Sequence, residues 1–250
     1  TQELTDTLTK LEKSRDDLTV ALSKERELSD LKSRFVSMAS HEFRTPLSTI
    51  LSSVSLIAKY TESVDQDKRN KHIQRIHSAV SNLTDILNEF LSLGKIEEGK
   101  IQVHFSIFNL KEQLNLIINE ISPILKNGQH IFYNHNGDAQ INLDLSLLRN
   151  IMINLISNAS KFSNESACIY VNSRVENNTA FIEIRDEGLG IAEEDKKHLF
   201  ERFFRGKNVI NIQGTGLGLH IVSKYVELMN GSIEVDSTLE KGTQFNLKFT

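Results

Sequence analysis

The sequence predicts an α+β protein. A helical hairpin pairs with a second copy into a dimeric antiparallel four-helix bundle, a coiled coil precedes it, and an α/β sandwich follows. Three observations carry this reading. Residues 1–62 contain one proline, no glycine, and leucines at helical spacing. A second helical stretch follows after a short connection. From Ile101 onward, segments of period 2 and period 3.6 interleave without regular alternation.

The first stretch reads as one long helix. Leu4, Leu8, Leu11, Leu18 and Leu22 keep a 4-3 spacing, and so do Leu28, Leu31, Phe35 and Met38. Such a stripe predicts a coiled coil, because each helix alone would expose the seam. The two sets do not share a register: Leu22 to Leu28 is six residues where a heptad needs seven. The supercoil is therefore expected to change its winding near residues 23–27, either as a loose linker or as a junction that relays a signal. A second helix, Asp67 to Glu98, carries Ile73, Ile76, Val80, Leu83, Leu87 and Phe90 at 3-4 spacing. The link from Thr61 to Gln66 is short enough to make the two helices antiparallel. One hairpin has too little apolar surface to close a core, so homodimerisation is expected.

In the remainder, strand-like alternation appears at Ile131–Tyr133, Ile169–Val171, Phe181–Arg185, Ile233–Val235 and Phe245–Phe249. Helical runs lie at Leu110–Leu125, Leu145–Phe162, Glu193–Phe203 and Gly216–Met229. Together they predict one mixed sheet with helices on one face.

Composition narrows the function. A net charge of −4 and a pI of about 6.1 give no electrostatic reason to expect a nucleic acid or an anionic membrane as partner. The single cysteine, Cys168, rules out an intrachain disulfide and sits in an apolar run that suits the core. No stretch approaches the ~18 apolar residues of a membrane span, so no direct membrane contact is expected within this stretch. The chain opens on Thr1 in mid-pattern, without a starting Met or a signal peptide, and reads as a fragment from which a sensor or membrane segment is expected to have been left off.

The chemistry begins at His41-Glu42-Phe43-Arg44-Thr45-Pro46-Leu47. His41 lies three residues past Met38, at the flank of the helix seam, where solvent reaches it. Neutral imidazole is a good nucleophile, and an adjacent carboxylate can take its other ring proton. Pro46 removes its own donor and crowds the carbonyl of Glu42, so a kink is expected one turn after the histidine. Taken alone, a surface His beside a Glu is also an ordinary solvated helix face. His72, His77, His104, His130, His135, His198 and His220 read as structural or solvated, with His72 and His77 on the polar side of the second helix.

A second constellation, Asn154, Asn158 and Lys161, is spaced i, i+4, i+7 and falls on one helix face, while Ile151, Leu155 and Ile156 face the core. Amide oxygens and an ammonium in line suit a Mg2+–polyphosphate group, although a polar outer stripe would look the same. Asp186-Glu187-Gly188-Leu189-Gly190 follows a strand. An Asp there can accept from an adenine amino group, with Gly188 and Gly190 admitting the ring; a plain turn is the alternative. Gly214-Thr215-Gly216-Leu217-Gly218-Leu219 opens a helix, where successive backbone N–H groups bind phosphate. It fits neither a Walker A loop nor the dinucleotide glycine spacing. Between the glycine segments, Phe200-Glu201-Arg202-Phe203-Phe204-Arg205 suits either a lid with phosphate-reaching arginines or a helix end packed on the core.

In this order and spacing these segments resemble the H, N, G1, F and G2 boxes of bacterial sensor histidine kinases, over about residues 28–250. Gly242-Thr243-Gln244-Phe245 resembles that family's terminal glycine motif. The resemblance implies a signalling coiled coil over 1–28, a dimerisation and histidine-phosphotransfer hairpin over 29–99, and a Bergerat-type ATP-binding domain over 104–250. His41 would be the phosphoacceptor, Glu42 its general base, and Thr45 the residue that orients water for dephosphorylating the partner. Asn158 with Asn154 would hold Mg2+. Lys161, Phe162, Arg202, Arg205, Gly214, Thr215, Gly216, Leu217 and Gly218 would bind ATP, with Asp186, Gly188 and Gly190 around adenine. The implied partner is the receiver domain of a response regulator, and the implied location is cytoplasmic, for a parent that can be membrane-anchored. Two departures are a Phe at 43 where Leu is commoner and a short lid between Arg205 and Gly214. Two rival classes are an ATPase of the MutL, gyrase and chaperone group, which has no need of His-Glu-x-x-Thr-Pro, and a silent dimer module, which would carry decayed boxes.

Overall fold

The computed structural model describes residues 2–209, 212 and 214–250, with side chains from residue 11 onward except at 12, 20, 24, 27–32, 34, 35, 63 and 207. The chain forms two compact units, Thr1–Ile86 and Leu87–Thr250. The division falls inside the second helix.

Helix α1 runs from Gln2 to Ile57 and α2 from Gln66 to Glu97. The turn between them, with a 3-10 segment at Ser63–Asp65, is stitched by Arg69, which donates to the carbonyls of Tyr60 (2.6 Å) and Glu62 (3.0 Å). The two helices return on one another, so that the Nδ1 of His72 lies 3.4 Å from the Ser53 hydroxyl. His72 is buried there and stacks on the Tyr60 ring, which corrects its expected place on the polar side. Leu11, Leu18 and Leu22 are exposed on α1. The side chains of Leu4, Leu8, Leu28, Leu31 and Phe35, on which the register slip rests, lie outside the described residues.

In the second unit, strands β1 (Ser106–Asn109) and β3 (Gln140–Leu143) pair antiparallel in a small ribbon. Strands β2 (His130–Gly137), β4 (Cys168–Glu176), β5 (Thr179–Asp186), β7 (Gly242–Phe249) and β6 (Gly231–Thr238) form a five-stranded sheet in the order β2-β4-β5-β7-β6. Among the described residues, only β2–β4 is parallel. Helices α3 (Leu110–Ile121), α4 (Leu145–Phe162) and α6 (Gly218–Leu228) cover one face, with α5 reduced to Glu193–Lys196.

The sequence explains these elements locally. Asn109 caps α3 by accepting from the Glu112 amide (3.1 Å), and Asp144 caps α4 by accepting from that of Leu147 (3.0 Å), caps worth about 1 kcal/mol each. Along α4, Leu148, Ile151, Met152, Leu155 and Ile156 recur at helical spacing and are wholly buried. They meet the inward positions of the strands, Ile169 and Val171 on β4 and Ala180, Ile182 and Ile184 on β5. Each such aliphatic side chain contributes about 1.5–3 kcal/mol of burial. Period-2 burial on β5 continues past Ile184 to Asp186, so the strand itself carries this carboxyl into the covered face. Cys168 begins β4 half-buried, short of the core position expected.

Candidate functional site

The phosphoacceptor candidates lie on α1. His41 is exposed, and its Nδ1 lies 3.2 Å from Oε1 of Glu42. Glu42 itself is 5% exposed, and its Oε2 is buried with no hydrogen-bond partner among the described residues. One turn on, the Thr45 hydroxyl donates to the His41 carbonyl at 3.5 Å. Pro46 is buried, and α1 continues through it to Ile57, so the proline removes one helical hydrogen bond without ending the helix.

The nucleotide candidates surround a cavity that opens to solvent. Asn158, Lys161 and Phe162 line it from the last turns of α4. The Asn158 amide donates to Oδ1 of Asn154 (3.1 Å), which leaves its own Oδ1 as an acceptor for a cation. Asn154 does not line the cavity. It lies behind, against the start of α6, where a Cβ on Gly218 would come within 2.7 Å of its amide. That close approach is why glycine stands at 218.

Asp186 lines the cavity at the end of β5 and is 7% exposed. Its Oδ1 accepts from the amides of Gly188 (2.8 Å) and Thr243 (3.3 Å), leaving Oδ2 for a ligand. Burial pushes its carboxyl up to about 6, and the two backbone donors pull weakly the other way. Gly190 has φ +64 and a Cβ there would lie 2.0 Å from the Thr238 carbonyl, so no side chain is admissible. Gly188 does not line the cavity.

The lid side brings Arg205, Gly214, Thr215, Gly216 and Gly218 to the cavity, and the Lys161 ammonium lies within 2.7 Å of a Cβ built at Gly214. Arg205 donates to the carbonyls of Val209 (3.1 Å) and Ile212. Residues 210, 211 and 213 of the expected lid lie outside the described residues. Besides Asn154 and Gly188, two more expected ligands are placed elsewhere. Arg202 pairs with Glu97 (2.6 Å) and does not line the cavity, and Leu217 is fully buried under α6. The helix expected over Glu193–Phe203 ends at Lys196 and gives way to turns, with Phe203 at φ +63 donating its amide to the Gly216 carbonyl (3.0 Å). His220, expected to be structural, is buried and bonded through Nδ1 to the Phe200 carbonyl at 2.9 Å, and burial lowers its pKa.

Several lining residues escaped the sequence reading. Thr243 fixes Asp186, and its signal was the Gly242-Thr243 step that opens the last strand. Asn208, which donates to the Gly190 carbonyl (3.1 Å), and the buried Asp195 carry no pattern that marks them. Glu89 on α2 accepts from the Thr215 hydroxyl, a contact 126 residues apart in sequence.

Comparison with known proteins agrees with this layout. Residues 31–99 match the His Kinase A (phospho-acceptor) domain, and residues 143–250 match the histidine kinase-, DNA gyrase B-, and HSP90-like ATPase. The autoinducer 2 sensor kinase/phosphatase LuxQ of Vibrio vulnificus is 35% identical over 224 residues, 85% of this chain and 26% of that protein. The histidine kinase AdeS of Acinetobacter baumannii shares the fold at a TM-score of 0.64 and 22% identity, over 84% of this chain and 97% of that one. The histidine kinase ThkA, solved in complex with the response regulator TrrA, does so at 0.62 and 21% identity, over 90% and 63%. The chain spans about a quarter of the length of the curated relatives it matches. An exposed histidine beside a buried carboxylate on a helical hairpin, and a buried aspartate facing an asparagine–lysine helix across a glycine-lined cavity, occur here in one chain with both matching domains. The chain belongs to the sensor histidine kinases.

Proposed function

We propose that the chain is a kinase core that takes the γ-phosphoryl group of ATP onto His41 and passes it to an aspartate on a receiver domain. The observation that carries this reading is the His41–Glu42 pair: Nδ1 faces the buried carboxylate, so Nε2 is the nitrogen free to attack. Nε2 forms the bond to phosphorus, ADP leaves, and the Nδ1 proton is held by Glu42. Phosphoryl transfer needs alignment and charge neutralisation above all, and the chain supplies both. Asp186 would read the adenine amino group through Oδ2, Lys161 and Arg205 would meet the phosphates, and the amides of Gly214–Gly218 would cradle them. Asn158 would hold Mg2+ through Oδ1, with Asn154 fixing its amide from behind. Bound there, the metal would neutralise phosphate charge.

The working unit is a homodimer, organised as a coiled coil over 1–28, a phosphotransfer hairpin over 29–99 and an ATP-binding domain over 104–250. Apolar side chains left exposed on the hairpin support it. Thr45, one turn from His41, suits a water that removes phosphate from the receiver, and the kinase/phosphatase description of the relative LuxQ favours that second activity. The receiver partner is supported by the complex solved for ThkA. Among the described residues no helix is long and apolar enough to cross a membrane.

Incubation with γ-labelled ATP tests the reading. Wild type is expected to become labelled with Mg2+ and not with EDTA. Glu42→Gln should bind ATP normally and label roughly 10²–10⁴ times more slowly. ADP formed without labelled protein would instead mark a plain ATPase.

A further inference from the structure

The last carbonyls of a helix have no partner within it, and a helix that ends at a ligand site must have them satisfied from outside. At the C-terminus of α4 the donors are backbone amides, among them that of Ala167 to the Asn164 carbonyl (3.3 Å), and two side chains. The Leu189 amide, in the glycine segment after β5, donates to the Phe162 carbonyl at 3.1 Å. The two side chains come from the loop before β2. The Lys126 ammonium donates to the carbonyls of Lys161 (2.8 Å) and Ser163 (2.7 Å), on either side of Phe162. Gln129, buried, donates through Nε2 to the carbonyls of Ser160 (3.0 Å) and Asn164 (2.9 Å), and accepts at Oε1 from the Ser160 hydroxyl (2.6 Å) and the Lys126 amide (3.1 Å). Five successive carbonyls, 160 to 164, thus receive donors, four of them from these two side chains.

We infer that Lys126 and Gln129 are positioning residues of the nucleotide site, clamping the end of the asparagine–lysine helix so that Lys161 and Phe162 stay aligned with the Asp186–Gly190 segment. Neither side chain lines the cavity. Lys126 acts through the carbonyl of Lys161, which does line it, and Gln129 through those of Ser160 and Asn164, which flank Lys161 and Phe162. The chemistry is specific on both counts. A cation at a helix C-terminus is held by the helix dipole as well as by hydrogen bonds. The Gln129 amide uses all four of its hydrogen-bonding valences, which neither Glu nor Leu can reproduce. The inference rests on the cavity being the ATP site.

The test uses the full dimeric chain and the ATP dependence of self-labelling. Lys126 is exposed apart from its ammonium contacts, so Lys126→Met should leave the nucleotide-free thermal midpoint near wild type. Its KM for ATP should rise about tenfold, the size of one charge-assisted hydrogen bond, with the rate at saturating ATP retained. Lys126→Arg, which can still reach two carbonyls, should restore the KM. Gln129→Glu should raise KM further, by losing two donors and placing a charge against the helix dipole. An unchanged KM in Lys126→Met overturns the clamp, and so does a raised KM that Arg fails to restore. A wild type that does not bind ATP would instead defeat the reading of the cavity itself, which separates the two failures.

Discussion

Asp186 shows how much one residue's setting decides. It occupies the next inward position after Ile182 and Ile184, and burial raises its carboxyl from 3.8 to about 6. The folded state therefore holds this proton more tightly than the unfolded chain. The resulting stability is fully present below pH ~4 and is lost as the pH rises through about 6. A carboxylate is the better acceptor for an adenine amino group, so ATP affinity should climb over the same interval and level off above it. Asp186→Asn keeps the two backbone bonds and removes the buried charge. It should stabilise the nucleotide-free protein at pH 8, by up to the order of 3 kcal/mol, and not at pH 4, while weakening ATP binding. Denaturant unfolding at the two pH values, with nucleotide titration, checks both halves; equal stability at both would contradict the assignment. Asp186 was legible in the sequence because a strand pattern ran straight into an Asp-x-Gly-x-Gly segment. Arg202 misled, since its pairing with Glu97 on α2 depends on tertiary placement that no local spacing encodes.

At the scale of elements, regular periodicity was read well and short or irregular pieces were not. Helix α4 spans Leu145–Phe162, the bounds expected, because its apolar stripe is unbroken and Asp144 caps it. The stretch Leu199–Phe204 keeps a helix-like apolar rhythm, but its backbone turns away at Phe203 to meet Gly216, which shortens α5 to four residues. Strands β1 and β3 escaped notice because four residues each give too little alternation to stand out. The clamp at Lys126 and Gln129 left no trace for the same reason that most helix-end partners do not: it joins loops 35 residues apart. The hairpin carries the element-scale prediction. Leu47, Leu51, Val54, Ile73 and Val80 are exposed on α1 and α2, Leu51 at 71%. A dimer buries such a face, so sedimentation should give twice the 28.4 kDa chain mass, and Leu51→Lys should shift the population toward monomer. A monomeric wild type would contradict it.

For the whole molecule, the two halves of the proposed reaction fall in two compact units. One carries His41 with its buried carboxylate neighbour, and the other carries the cavity of Asn158, Asp186 and the glycine segments. Each half alone has a bland reading, as a solvated histidine or as an ATPase cleft. The proposed kinase activity rests on their presence in one chain. The most direct measurement is the identity of the labelled atom after incubation with γ-labelled ATP and Mg2+. An acid-labile, alkali-stable phosphate is expected on the peptide containing His41, absent from both His41→Ala and Asn158→Ala. Label that survives His41→Ala, or that proves acid-stable, would contradict it.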